Sequence, residues 1–428
     1  MNGESVLNRK FALTMVALAT VAIAACGEQL DAGKSCPLLC PEQEINLRDT
    51  LVDAIASDTT VLGIPPIGSE TFLMLSSHGD SVQTRAIIRF DTLQGNFSAG
   101  NGADSLISHI DTAQIVLPIE KPDSAHRPKV PITLEAYNVD TTASDTSIAA
   151  LAPLFRPSRL LGAKTFAPES LLDTLRIPIS PDSVMDRITN GTHLRIGLRL
   201  VSSQGYDVRI GTSLNGNPGT LRLKVSPDTA VHAIVVQPIS NTPPNESFVA
   251  GPLRDYTIVL KGSTSTPLTQ LAVGGIPSRR SLFRFNIPSR LLDSTTIVRA
   301  SLLLTQTPNR GVNPRDSVWV FPVAILASPV VNDAATVLRF VSGGGFLGLD
   351  SLRLAPGDSG VRAFQIVGLV RTWHNTTEEI SPNAIGMLSG SEAQLPAEID
   401  FFSMEAPAAV RPKLRITYVP QTNIGLPK

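Results

Sequence analysis

The chain has 428 residues, 36 Lys and Arg against 37 Asp and Glu, and a formal net charge of −1. That balance lacks the basic excess with which a nucleic-acid binder offsets phosphate charge, so no nucleic-acid partner is expected. The length exceeds the roughly 250–300 residues at which a single core stops growing, which implies more than one domain.

Arg9 and Lys10 precede an uncharged apolar run from Phe11 to Ala25. The run is shorter than the roughly 20 residues that span a bilayer as a helix. It ends in small residues, so residues 1–25 read as a signal peptide. Its ending, Ile23-Ala-Ala-Cys26, resembles the lipobox of bacterial lipoproteins. The resemblance implies cleavage before Cys26 and acylation of its thiol and new amino terminus. One acyl chain anchors only marginally, whereas the two or three implied here hold a protein on a membrane. Gly27 rather than Asp after the cysteine favours the outer membrane, with the chain facing the periplasm or the cell surface. Residues 26–44 then form a tether. Within it Cys36 and Cys40, followed by Pro37 and Pro41, are spaced to close a small disulfide loop in an exported protein; free thiols are the alternative. The neighbourhood lacks the further ligands of a metal site.

From residue 45 onward most segments alternate over five to eight residues and stop at Gly, Pro, Asn or Asp, the pattern of strands and turns in a sandwich or barrel. Ile132-Thr-Leu-Glu-Ala-Tyr137, Arg195-Ile-Gly-Leu-Arg-Leu200 and Ser317-Val-Trp-Val-Phe321 are examples. One short helix is expected in each half. Ser180 caps the first, Pro181 takes its first position and Asp182 supplies an early acid. Val184, Met185 and Ile188 share its apolar face, and Gly191 ends it. The second is expected over 361–373. The domain junction falls in 229–254, around Asn241-Thr-Pro-Pro-Asn245.

The two halves repeat each other. Arg85-Ala-Ile-Ile-Arg-Phe-Asp91 returns as Arg280-Ser-Leu-Phe-Arg-Phe-Asn286, and Asp173-Thr-Leu-Arg-Ile177 as Asp350-Ser-Leu-Arg-Leu354. Ile196-Gly-Leu198 is answered by Ile385-Gly-Met387, and Leu221-Arg-Leu-Lys-Val225 by Leu414-Arg-Ile-Thr-Tyr418. The offsets of 195, 177, 189 and 193 keep the order while loop lengths drift, as in a duplicated domain. The expected domains are 45–228 and 229–420, with a tail at 421–428.

Phe402-Ser-Met-Glu405, Arg411-Pro-Lys-Leu-Arg-Ile-Thr-Tyr418, the Arg280–Asn286 motif, Leu302-Leu-Leu304 and the segment ending in Trp373 together resemble the DNRLRE-domain family. These are secreted bacterial jelly-roll β-sandwiches, some grouped with carbohydrate-binding modules. The resemblance covers most of 255–420 and, more weakly, 57–228. In the first half Gly219-Thr-Leu-Arg-Leu-Lys-Val225 stands where the family has Arg-Pro-x-Leu, and the literal Asp-Asn-Arg-Leu-Arg-Glu string is absent from both halves. The resemblance implies an all-β fold of two tandem jelly-roll β-sandwich domains and says far less about function.

Four arginines and one tryptophan are the candidate ligand-binding residues. Residues two apart on a strand share a face, so Arg85 and Arg89, about 13 Å apart, point to one side. Arg280 and Arg284 repeat the arrangement. Such a pair could clamp acidic sugars through bidentate carboxylate bonds. The alternative is pairing with acids such as Glu405 while the stems cover the sheet. Trp319 could stack on a sugar ring or pack; Trp373 is expected in the core. Gly357-Asp-Ser-Gly360 resembles the nucleophile motif of trypsin-like proteases, but Val361 follows it and the six histidines show no triad spacing, so it reads as a turn opening the second helix. Asp140-Thr-Thr-Ala-Ser-Asp145 offers oxygens for a structural calcium but lacks EF-hand spacing, so a solvated loop is expected and no cofactor is assigned. The expected role is non-catalytic: a lipid-anchored envelope protein that binds polysaccharide or cell-envelope polymer. The alternatives are a structural surface spacer, or a polysaccharide lyase or esterase with a dispersed site.

Overall fold

The computed structural model describes residues 47–62, 68, 70–98, 104–124, 126–141, 147–226, 233–241, 253–262, 266–309, 316–325, 350–373, 383–392 and 394–420. The expected signal peptide and tether, with Cys26, Cys36 and Cys40, and the expected tail 421–428 lie outside the described residues.

Up to the expected junction the strands are β1 (Arg48–Val52), β2 (Ile55–Leu62), β3 (Phe72–His78), β4 (Val82–Phe90), β5 (Asn96–Ser98), β6 (Asp104–Leu106), β7 (His109–Pro118), β8 (Ile132–Asn138), β9 (Leu160–Phe166), β10 (Thr174–Ile179), β11 (Leu194–Val201), β12 (Tyr206–Gly211) and β13 (Thr220–Ser226). Beyond it come β14 (Ile234–Val236), β15 (Asp255–Lys261), β16 (Gln270–Gly274), β17 (Arg279–Phe285), β18 (Thr295–Thr307), β19 (Val318–Ala324), β20 (Leu352–Leu354), β21 (Gly360–Gln365), β22 (Ala384–Ser389), β23 (Glu398–Phe402) and β24 (Lys413–Pro420). Four short α-helices accompany them: α1 (Ile148–Leu151), α2 (Pro181–Thr189), α3 (Ser289–Asp293) and α4 (Val367–Thr372).

The fold is all-β and consists of two antiparallel sandwiches. In the first, a layer ordered β12-β3-β4-β11-β8-β9 faces a layer ordered β10-β7-β13-β14. Period-two alternation builds the core between them. On β10, Leu175, Ile177 and Ile179 point in while Thr174, Arg176 and Pro178 point out. They meet Ala86, Ile88 and Phe90 of β4 and Leu194, Ile196 and Leu198 of β11. In the second sandwich, β1-β24-β18 faces β23-β16-β17-β22-β19-β20. The two layers are continuous there because the end of β18 bends over to pair with β23, Gln306 opposite Phe401 and Thr307 opposite Asp400.

Each sandwich takes two strands from the other half of the chain, β14 and β15 in the first and β1 and β2 in the second. β15 pairs along β4, with Thr257 opposite Ala86, and β2 pairs along β17, with Thr60 opposite Ser281. The slots they fill are alike. β3 meets β4 only at the hairpin tip, at Ser77–Gln83 and His78–Val82, and β16 meets β17 only at Gly274–Arg279. The inserted strand satisfies backbone groups that the splayed hairpin leaves open. The anchors match too. Thr257 Oγ1 accepts from the Met74 amide at 3.0 Å, and Thr60 Oγ1 from the Ala272 amide at 3.1 Å. Asp255 Oδ2 accepts from the Ser213 amide at 2.8 Å, and Asp58 Oδ2 from the Met404 amide at 2.9 Å. Each sandwich therefore contains residues from both sides of the 228/229 boundary.

The strand registers correct two further expectations. β20 pairs β19 as β9 pairs β8, whereas β10 pairs β7 as β21 pairs β18. The 350–354 motif is thus the counterpart of β9, not of 173–177. The described residues also hold two α-helices in each half rather than one. α2 forms as its caps predict, with Ser180 Oγ accepting from the Ser183 amide at 3.1 Å and Gly191 at φ +59°. Residues 361–373 divide between β21, which buries Phe364, and α4, which buries Leu369 and Val370. The 357–360 turn accordingly opens a strand, not a helix. Trp373 sits in the core, its ring 5.1 Å from that of Phe285.

Candidate functional site

The expected arginine clamp is not displayed to solvent. Ile87, between Arg85 and Arg89, packs with Tyr137, Leu151, Tyr256 and Ile258, so the outer face of β4, flanked by the inserted β15, lies under α1. Arg85 is buried, donates to the Thr84 carbonyl at 2.7 Å and lies 5.8 Å above the Phe155 ring. Burial pushes its guanidinium down to about 10. Arg89 is 1% exposed, donates to Ser240 Oγ at 3.3 Å and lies 5.6 Å from the Tyr256 ring centre. Arg280 is also buried and forks onto Glu392, with Nε to Oε1 at 2.7 Å and Nη2 to Oε2 at 2.5 Å. Its acid is Glu392 rather than Glu405. Arg284 is half-buried and also engaged.

A cleft of about 720 Å³ lies between the sandwiches. One wall comes from His78, the loop 119–129 and the start of β12; the other comes from Asp316, Ser317, Arg353, Leu395 and Pro396. Two histidines organise its acids. His78 Nε2 is 2.9 Å from Asp207 Oδ2, and that hydrogen bond raises the imidazole above its ordinary value. His126 bridges the walls, with Nδ1 2.7 Å from Asp123 and Nε2 2.9 Å from Asp316. The hydrogen bond to Asp123 is the main cause of its raised pKa, and the charge of Asp316 adds to it. Burial raises Asp316 against the opposing effect of His126, and burial lifts Tyr206 to about 12. Glu120 is bonded by Arg209, which stacks 4.3 Å over Phe72.

All four cleft carboxylates thus have cationic or imidazole partners. Lys121, Arg127, Lys129 and Arg353 also line the cleft and are exposed, and among the described residues none lies within ion-pair distance of a carboxylate. Arg353 Nε donates to Ser317 Oγ at 2.6 Å. Directly across the strand pair from Arg353 stands Trp319, 53% exposed. Opposed residues of an antiparallel pair share a face with Cβ atoms about 5 Å apart, so the indole stands beside the cleft lining. A smaller cleft of about 510 Å³ runs along β2 between Asp58, Leu268 and Arg279 and is lined by no aromatic residue.

Of the sequence candidates, Arg85, Arg89, Arg280, Arg284 and Trp319 are all absent from the cleft lining, and Trp319 alone is paired across the strands with a residue that lines it, Arg353. The histidines seemed scattered because their partners are 129 and 190 residues away for His78–Asp207 and His126–Asp316. Only Asp123–His126, three apart, was readable locally. Asp140 lies 3.6 Å from Arg195, 3.8 Å from Arg187 and 3.9 Å from His193, and the rest of its loop, 142–146, lies outside the described residues. Among the described residues no group of three or more His, Cys, Asp or Glu could hold a metal ion, and no helix is long and apolar enough to cross a membrane.

No protein-family model and no curated protein matches the chain. Among solved structures it is similar to one entitled structure of infectious bursal disease virus Gx strain, at 10% identity, over 87% of this chain and 76% of that one, with a TM-score of 0.13. It is also similar to the VP2 subviral particle of infectious bursal disease virus, at 9% identity, over 87% and 78%, with a TM-score of 0.12. Likeness at that level carries no inference.

Proposed function

We propose that the chain is a lipid-anchored bacterial envelope protein that binds polysaccharide or cell-envelope polymer, without catalysis, in the cleft between its two sandwiches. The observation that carries this reading is the cleft itself, whose lining residue Arg353 stands opposite the exposed Trp319 on the neighbouring strand. Its volume falls within the roughly 300–1,000 Å³ usual for ligand sites. An exposed indole offers the apolar face on which a pyranose ring stacks, at little entropic cost. Lys121, Arg127, Lys129 and Arg353, exposed in the cleft and outside ion-pair distance of its four partnered carboxylates, favour a polymer with acidic groups, which such cations attract. The Ile23-Ala-Ala-Cys26 sequence supports the anchor.

The test is binding of the full chain to a panel of neutral and acidic polysaccharides at low and high salt. Trp319→Ala is expected to weaken binding about tenfold, equivalent to about 1.4 kcal/mol. Arg85→Ala, whose side chain is buried away from the cleft, should bind normally wherever it folds. Saturable binding indifferent to Trp319, or no binding by a folded chain, would contradict the proposal.

A further inference from the structure

We infer that the outer face of the four-stranded layer β10-β7-β13-β14 docks onto an anionic lipid surface. The inference goes beyond the cleft and stands or falls separately from it. Alternation that sends Leu221, Leu223 and Val225 into the core sends Arg222 and Lys224 outward, and Arg176 projects from the same side of β10. The registers place these cations together. Arg222 is opposite Gln114 and Lys224 opposite Thr112 on β7, while Arg176 is opposite Val116 on the other side of the same strand. Arg222 and Lys224 are about 7 Å apart along β13. On β14, Val235 is opposite Arg222 and 53% exposed, an apolar contact beside the charge.

The four strands carry one carboxylate, Asp111, and it lies 3.8 Å from His109 at the bulged end of the pairing. Among the described residues no carboxylate lies within ion-pair distance of Arg176, Arg222 or Lys224. The corresponding face of the other sandwich differs. There the strand beside β24 is β1, and its Asp49 bonds Arg415 at 2.5 Å and lies in the field of Arg299. The neighbour strand thus supplies an acid in one sandwich and Val235 in the other. A broad sheet face with clustered, uncompensated cations and an exposed aliphatic fits a layer of anionic headgroups, where each basic side chain near the surface adds to the attraction.

The test uses the full chain carrying Cys26→Ser, so that no acyl chain contributes, and sedimentation with phosphatidylglycerol–phosphatidylcholine or pure phosphatidylcholine vesicles. The expected result is binding to the anionic vesicles only, reduced at least tenfold by combining Arg176→Glu, Arg222→Glu and Lys224→Glu, with the matching alanine variants as a second set should the charge reversals fold poorly. Lys121→Glu with Lys129→Glu, in the cleft, should leave vesicle binding unchanged. Equal binding to neutral vesicles, no binding to either, loss through the cleft variants, or indifference to the face variants would overturn the inference. None of these outcomes bears on polysaccharide binding in the cleft.

Discussion

Glu70 sits where the inserted β15 meets the first sandwich, 5% exposed, accepting from the Gly68 amide at 2.6 Å and the Thr257 amide at 3.2 Å. Burial pushes its carboxyl from 4.5 up to about 7, and nearby Asp255 adds to the rise. A folded-state pKa above the unfolded one contributes stability that is full below the unfolded value and lost as pH rises through the folded one. The window runs from about 4.5 to 7, and the loss is about 3 kcal/mol. Glu70→Gln should flatten the pH dependence of the urea midpoint across that window; an unchanged slope would contradict the assignment. Arg280 carries the opposite lesson. Because Arg280 is buried on the largely covered Glu392, Arg280→Ala strands that carboxylate and should cost about 3 kcal/mol in urea unfolding. The exposed Arg415–Asp49 pair, screened by water, should contribute far less. Sequence placed the arginines on a shared strand face, but their burial was not legible. The residues that cover Arg85 and Arg89, Phe155 and Tyr256, come from segments with no local relation to β4.

At the scale of elements, the inserted strands decide how the chain folds. β2 and β15 each pair along a strand of the other half, so residues 45–228 and 229–428 should fail to fold when expressed separately and should form a soluble complex when co-expressed. Circular dichroism and gel filtration of each half and of the mixture check this; two halves that fold alone would contradict it. The repeat itself was readable where strands are long and distinctive. The Arg85 and Arg280 motifs align in the structure, since β4 and β17 take equivalent neighbours. The shorter Asp-x-Leu-Arg motif aligned two strands that are not equivalent, because five alternating residues fit any half-buried strand. The Asp-x-Thr sequence at Asp58–Thr60 and Asp255–Thr257 was the local sign of the exchange; its meaning depends on the amides of Met404, Ser213, Ala272 and Met74, which only the fold brings near.

For the whole molecule, the exchange ties the two sandwiches into one unit and thereby creates the cleft between them, with His126 linking one wall to the other. The all-β sandwich architecture was legible from alternation and turn residues. The cleft was not, since its lining comes from short loop segments of both halves whose proximity depends on the exchanged strands. The proposed lipid anchor rests on Ile23-Ala-Ala-Cys26 at the other end of the chain. Cys26→Ser should abolish acyl labelling and move the chain from the membrane to the soluble fraction; unchanged partition would contradict lipid anchoring.

The most direct measurement is a crystal structure of the full chain bound to an acidic oligosaccharide at saturating concentration. The sugar is expected in the inter-sandwich cleft, with one ring on Trp319 and an acidic group on Arg353 or Lys129. A sugar bound on another surface, with the cleft empty, would contradict the account.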